Sequence, residues 1–134
     1  MFTTTPFSIW ELNEKLLHGL ENIGWEFATQ VQKETIPLAL SGKDVIGQAR
    51  TGSGKTAAFG LPTMNACQAS GELQALILAP TRELANQVAE ELNNIQGEMG
   101  LIIQTVYGGT DLEKQARSLP VSYTHLRAHE TTDN

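Results

Sequence analysis

The chain has 134 residues and a net charge of −6, and 40% of its residues are hydrophobic against 18% charged. This balance excludes disorder over the whole length and a polycation that holds nucleic acid by bulk charge. The length suits one small domain or a piece of a larger one. Cys67 is the single cysteine, so no internal disulfide can form, and the apolar runs are only as long as strands. We therefore expect a soluble, cytoplasmic protein with no membrane partner.

Capping boxes open the predicted helices of the first third of the chain. Ser8 and Thr29 are each followed three residues later by Glu or Gln, which predicts helices from Ser8 to about residue 22 and from Thr29 to about residue 40. Gly24 and Gly42 follow these helices, where left-handed residues commonly end them.

Residues 49–56, ARTGSGKT, are typical of a loop that binds phosphate, and we call them the phosphate loop. Its two glycines let consecutive N–H groups converge on an anion, Lys55 supplies a cation and the Thr56 hydroxyl can ligate Mg²⁺. Ala49 stands where the generic pattern has its first glycine. The alternative is a flexible Gly/Ser turn with a chance lysine.

Apolar runs alternate with helical patterns in the rest of the chain. We call residues 44–47, 75–79 and 101–106 the strand segments, because their composition predicts buried strands. Helices are predicted over residues 55–69, from Thr81 onward, and from Thr110 to about residue 119. The alternation predicts a parallel sheet with helices on both faces, and ligands bind at the carboxyl ends of such strands.

Several motifs occur in one order: Phe7, GWEFATQVQ at residues 24–32, the phosphate loop, PTRELA at residues 80–85, and Gly108-Gly109. This series resembles the first RecA-like domain of DEAD-box RNA helicases, over residues 7–119, and alanine is usual in that family at position 49. The resemblance implies an incomplete α/β, RecA-like P-loop NTPase fold. It also implies ATP and Mg²⁺ as cofactors, RNA as a partner and a second RecA-like domain in the parent protein.

The resemblance also implies the roles of individual residues. Lys55 and Thr56 would be catalytic, with Thr56 as the Mg²⁺ ligand. The nucleotide would be bound by Phe7, Trp25, Thr29, Gln32, Ala49, Arg50, Thr51, Gly52, Ser53, Gly54, Lys55 and Thr56. RNA phosphates would be contacted by Pro80, Thr81, Arg82, Gly108 and Gly109.

Gln32 would read the adenine edge, since a carboxamide both donates and accepts hydrogen bonds. Alternatively, it only completes the capping box of its helix. Phe7 and Trp25 would wall the base, although Phe7 alone could serve as a hydrophobic staple with Leu12. Trp25 stands where the family usually has Phe or Tyr, and Ala28 where it usually has Pro.

ATP hydrolysis needs a second acid to hold Mg²⁺ and a group that positions water, and none of the strand segments ends in Asp or Glu. Asp111 is best explained as an acid in the first turn of a helix. The family continues past residue 119 with TPGR and DEAD motifs. We expect a domain over residues 1–120 and a non-homologous tail, disordered or artefactual, over residues 121–134, whose His125 and His129 lack a third metal ligand.

The sequence thus favours an ATP-binding fragment of a DEAD-box RNA helicase, truncated before its DEAD motif, with negligible turnover of its own. Whether the chain is itself an enzyme stays open. A non-catalytic nucleotide or RNA interaction module is the main alternative. Another phosphate-loop enzyme, such as a small kinase, would explain neither GWEFATQVQ nor PTRELA.

Overall fold

The computed structural model of the chain describes residues 2–108. Predictions that concern Gly109, Thr110, Asp111 and residues 121–134 lie outside the described residues. In chain order the elements are β1 (Phe2–Pro6), a 3-10 helix (Phe7–Ile9), α1 (Glu14–Asn22), β2 (Phe27–Thr29), α2 (Gln30–Leu40), α3 (Lys55–Asn65) and α4 (Arg82–Ile95). No helix in this part of the chain combines the length and the apolar character needed to cross a bilayer.

The first helix begins later than the capping box predicted. Ser8 lies in the short 3-10 helix, which ends because Trp10 has extended backbone angles of φ −92° and ψ 152°. Asn13 instead caps α1, and its side chain accepts a hydrogen bond from the Lys15 N–H at 2.8 Å. The capping box at Ser8 was therefore wrong, whereas the left-handed Gly24 after α1 is confirmed, with φ +79°.

A small antiparallel sheet, which the sequence patterns did not reveal, joins the N-terminus to the start of α2. β1 pairs with β2 so that Phe2 faces Thr29 and Pro6 faces Phe27. The Thr3 hydroxyl also donates to the Ala28 carbonyl at 2.8 Å. The sheet therefore fixes the residues that lead into α2.

Four helices share one apolar core in the described part of the chain. Its largest fully buried apolar side chains come from α1 (Leu16, Leu20), α2 (Ile36), α3 (Leu61) and α4 (Ile95). α1 and α4 approach closely at Gly19, where a Cβ would overlap the Ile95 carbonyl oxygen. The core holds the N-terminal ends of α2 and α3 near each other, because these two helices pack side by side.

The three strand segments form no strand within residues 2–108, so the predicted parallel sheet is not assembled there. Their apolar side chains are largely open to solvent: Ile46 is 100% exposed, and Leu76, Leu78 and Ile102 are exposed by 65% or more. The first two segments both line a cavity of about 710 Å³, and the second and third line one of about 380 Å³.

Candidate functional site

The phosphate loop turns sharply into α3 through two left-handed glycines. Gly52 has φ +82° and Gly54 has φ +87°, so both adopt the region that side chains disfavour. The Ser53 N–H donates to the Arg50 carbonyl at 3.2 Å and closes the turn. The backbone geometry expected of these glycines is thus confirmed.

The N-terminus of α3 differs from those of the other described α-helices. Asn13, Thr29 and Thr81 cap α1, α2 and α4 through their side chains, whereas Gly54 supplies no side-chain cap to α3. The first turn of α3 also contains no acid. Because the first N–H groups of a helix have no partner within it, this terminus presents donors and a partial positive charge to an anion.

Gln32 connects the start of α2 to the phosphate loop. Its side chain is 1% exposed; Oε1 accepts from the Thr29 N–H at 2.9 Å, and the Thr29 hydroxyl accepts from the Gln32 N–H at 3.4 Å. This is the predicted capping box. Gln32 Nε2 also donates to the Gly54 carbonyl at 3.1 Å. The residue expected to read the base is therefore bonded to Gly54, the N-cap residue of α3, which is expected to bind phosphate.

Gly54 is needed for space as well as for backbone angle. A Cβ at this position would overlap Gln32 Nε2 and would lie 3.0 Å from the Thr29 hydroxyl oxygen. No such crowding exists at Gly52, where a Cβ would meet no atom within 4 Å. The sequence pattern indicated both glycines but gave no sign that they differ in this way.

The remaining residues of the phosphate loop and the first residues of α3 differ in their exposure to solvent. Lys55, the first residue of α3, is exposed, and Thr56 is half-buried behind it. Ala49 and Ser53 are half-buried, whereas Arg50 and Thr51 are exposed. Lys55 and Thr56 also line the cavity of about 710 Å³.

Three aromatic residues from the first 25 positions of the chain form one cluster. Phe7 is 3% exposed and belongs to the core; its ring stacks on Trp25 with centroids 6.3 Å apart. Trp10, which sequence reasoning did not single out, meets Phe7 edge-on at 6.1 Å. Trp25 is the most exposed of the three rings, at 37%. Phe7 thus supports Trp25 from the core side, and the base-wall role of both rings stays a prediction.

The predicted RNA-contacting segments also meet. Thr81 caps α4 as expected, since its hydroxyl accepts from the Leu84 N–H at 3.1 Å. Arg82 Nη2 donates to the Gly108 carbonyl at 3.0 Å, and Arg82 Cζ lies 4.9 Å from the centre of the Tyr107 ring. Pro80 is exposed beside them. The sequence analysis missed Tyr107, although an aromatic residue directly before Gly108-Gly109 was a visible signal.

Few titratable or metal-binding features accompany this geometry. Burial raises the pKa of the Cys67 thiol, which donates to the Thr63 carbonyl at 3.2 Å. The described residues contain no group of three or more His, Cys, Asp or Glu side chains that could hold a metal. A single Thr56 hydroxyl fits Mg²⁺ that arrives with a nucleotide, because Mg²⁺ takes phosphate oxygens and keeps several waters.

The chain is similar to known helicases over most of its length. The DEAD/DEAH box helicase family model matches residues 29–130. The ATP-dependent RNA helicase CshA of Listeria monocytogenes is 53% identical over 116 residues, which cover 86% of this chain and 22% of that protein. The RNA helicase CrhR of Synechocystis sp. is also 53% identical, over 87% of this chain and 24% of that protein. The chain thus spans less than a quarter of these relatives.

Solved structures show the same fold. A DEAD box protein from Methanococcus jannaschii superposes with a TM-score of 0.81 at 38% identity, covering 89% of this chain and 33% of that one. An RNA helicase from Chaetomium thermophilum bound to ADP gives a TM-score of 0.69 at 39% identity, with 86% and 30% covered. These likenesses confirm the incomplete α/β, RecA-like fold class, while the boundary at residue 120 stays a prediction. By its motifs, fold and matches, the chain belongs to the DEAD/DEAH box helicase family.

Proposed function

We propose that the chain is the adenine-nucleotide-binding part of an ATP-dependent RNA helicase of this family, acting in the cytoplasm. One observation carries the proposal. The N-terminus of α3 has no side-chain cap, and the carbonyl of its N-cap residue, Gly54, accepts a hydrogen bond from the buried amide of Gln32. A terminus open to phosphate and a base-reading amide are thereby held within one hydrogen bond of each other.

At the phosphate end, the N–H groups around Gly52 and Gly54 bind the phosphate oxygens of ATP, assisted by the positive end of α3. Lys55 adds a full charge at the outer phosphates and Thr56 supplies a hydroxyl ligand to Mg²⁺. When bound, Mg²⁺ neutralises negative charge that develops on those phosphates. The absence of an acid from the first turn of α3 supports this assignment, because an acid there would repel the ligand.

At the base end, Gln32 distinguishes adenine from guanine. Its bonds to Thr29 and Gly54 use one lone pair and one N–H, and a carboxamide has two of each. The second N–H and lone pair match N7 and N6 of adenine. Because Gln32 is 1% exposed, the base reaches it only when the amide or its cover moves, and Trp25 is the exposed ring at hand to stack on the base.

The second half of the chain contacts the phosphate backbone of RNA. Thr81, Arg82 and Gly108 lie together at the start of α4, and Pro80 and Gly109 adjoin them in sequence. A helix terminus, a guanidinium and glycine N–H groups suit phosphate oxygens, which carry no base information. In the whole protein, a second RecA-like domain would close over the same RNA. Its closure would couple the binding and hydrolysis of ATP to the remodelling of that RNA.

A non-catalytic nucleotide or RNA module is the second candidate for the chain itself. The 134 residues contain neither TPGR nor DEAD, and the strand segments are followed by Gln48, Pro80 and Tyr107 rather than by an acid. No strand segment thus ends in an acid that would hold Mg²⁺ from the opposite side or position the attacking water, and the described residues contain no group of three or more metal-binding side chains. We expect binding with negligible turnover.

Fluorescent ADP binding tests the proposal. The unsubstituted chain should bind Mg²⁺ and fluorescent ADP, and Lys55→Ala should weaken binding by about ten- to hundred-fold, because a charge-assisted contact is lost. Lys15→Ala, which alters an exposed lysine of α1, is the matched control and should bind as the unsubstituted chain does.

Equal binding by Lys55→Ala would overturn the assigned phosphate site. A parallel assay of ATP turnover with and without single-stranded RNA separates the two candidates. Hydrolysis stimulated by RNA would exclude the non-catalytic module and contradict the expectation that the chain has no acid to complete the site.

A further inference from the structure

We propose that Tyr107 is a positioning residue for RNA binding: its ring holds the Arg82 guanidinium at the N-terminus of α4, in place to meet a backbone phosphate. The inference rests on the proposed RNA contact of Arg82 and adds to it a residue outside the motifs that suggested the contact. It concerns recognition of the nucleic-acid backbone and not the nucleotide site.

Contacts with Tyr107 and Gly108, among the described residues, hold the guanidinium. Arg82 Cζ lies 4.9 Å from the centre of the Tyr107 ring, within the roughly 6 Å over which a cation is attracted to an aromatic face. Arg82 Nη2 donates to the Gly108 carbonyl at 3.0 Å. A ring face and an in-plane hydrogen bond together fix both the position and the plane of the group.

This restraint matters because Arg82 is exposed and its side chain has many rotamers. Ordering such a side chain on a ligand costs conformational entropy, and ordering it beforehand lowers the cost of binding. Arg82 is the first residue of α4, next to the Thr81 cap, so the guanidinium adds its charge to the positive helix end. Tyr107 thus holds the positive charge of Arg82 close to the N-terminus of α4.

The position of Tyr107 indicates that its ring does not serve mainly to fill the core. Tyr107 is half-buried, and it is not among the described residues that form or pack against the core cluster, whereas Leu101 and Ile103 of the preceding strand segment are. A change of this ring should therefore leave the helical core folded. Circular dichroism and urea unfolding verify this for each variant.

Binding of a fluorescein-labelled single-stranded oligouridylate, followed by fluorescence anisotropy, tests the inference. Tyr107→Leu should weaken binding by about two- to five-fold, the range expected for a cation–π contact at an exposed site. Tyr107→Phe keeps the ring face and should bind within about two-fold of the unsubstituted chain. Phe2→Leu, which removes an exposed ring from β1, is the matched control and should bind normally.

A double-mutant cycle separates positioning from direct stacking of the ring on a base. If Tyr107 acts through Arg82, Tyr107→Leu has no further effect once Arg82→Ala is present, and both variants reduce the dependence of binding on salt. Additive losses would mean that the ring contacts RNA itself and would overturn the inference. So would unchanged binding by Tyr107→Leu, whereas an unsubstituted chain that binds no RNA would overturn the proposed RNA contact and the inference together.

Discussion

Two regions of the chain differ in how far their apolar residues are buried: the packed helix pair α2 and α3, and the three strand segments. In the first region, Thr29, Gln32 and Gly54 are joined by hydrogen bonds, and Ile36 and Leu61 are fully buried. In the strand segments, apolar residues remain exposed beside cavities. The difference indicates that helix caps and left-handed glycines form through residues nearby in sequence, whereas a parallel sheet depends on partners distant in sequence.

The largest contrast should appear between two isoleucines. Ile36→Ala, in α2, should lower the free energy of unfolding by about 2–5 kcal/mol, because a fully buried side chain leaves a cavity. Ile46→Ala, in the first strand segment, should change it by less than about 0.5 kcal/mol, since Ile46 is fully exposed. Urea unfolding measures both. Comparable losses would mean that residues 44–47 are buried in solution and would erase the contrast.

A second contrast lies within the phosphate loop. Gly54→Ala should destabilise the chain by about 2–3 kcal/mol, because it combines left-handed strain with displacement of the Gln32 amide. Gly52→Ala meets no neighbour and should cost only the strain of its backbone angle, about 1–2 kcal/mol. Urea unfolding ranks the two, and fluorescent ADP should bind more weakly to Gly54→Ala. A larger loss for Gly52→Ala would argue against the Gln32–Gly54 contact.

The helix caps provide a smaller test. Thr29→Ala removes a buried cap that is also bonded into the Gln32 network, so we expect a loss of about 1–2 kcal/mol in unfolding free energy. Thr81→Ala removes an exposed cap on α4 and should cost about 0.5–1 kcal/mol. Chemical unfolding of both variants decides the order. Equal costs would indicate that the Thr29 cap gains nothing from its burial.

Cys67, which lines the cavity beyond α3, should give the smallest effect. Because burial raises the pKa of its thiol, the native chain should react with iodoacetamide more slowly than the urea-unfolded chain at the same pH. The stability associated with the buried neutral thiol is present below the pKa of the unfolded thiol and is lost as pH rises through the native pKa. The Cys67→Ser variant should not lose this stability at alkaline pH. Equal rates of alkylation in the native and the unfolded chain would contradict the burial of the Cys67 thiol.

Local sequence signals account for much of the structure. The boxes and glycines around α2, α3 and α4 predicted Thr29 and Thr81 as caps and Gly24, Gly42, Gly52 and Gly54 as left-handed residues, because each depends on atoms a few residues away. The same kind of signal failed at Ser8, where Asn13 offered a competing cap.

Contacts between distant residues could not be predicted in the same way. The Gln32–Gly54 bond, the close approach of Gly19 to α4 and the Arg82–Tyr107 contact each depend on how whole elements pack. The strand segments were misjudged for a related reason, since their composition suits strands but no neighbouring strand adjoins them within residues 2–108. The sequence thus predicted local features such as caps and left-handed glycines, whereas it could not predict the contacts that connect the candidate site residues.

The most direct test of the account is competition between ADP and GDP for the site, measured by displacement of fluorescent ADP from the unsubstituted chain in the presence of Mg²⁺. If Gln32 and the terminus of α3 form one adenine-nucleotide site, ADP should displace the probe at least about ten-fold more effectively than GDP, because guanine leaves buried polar groups unpaired. Equal displacement by the two nucleotides would contradict the role assigned to Gln32, and failure to bind the probe would contradict the site as a whole.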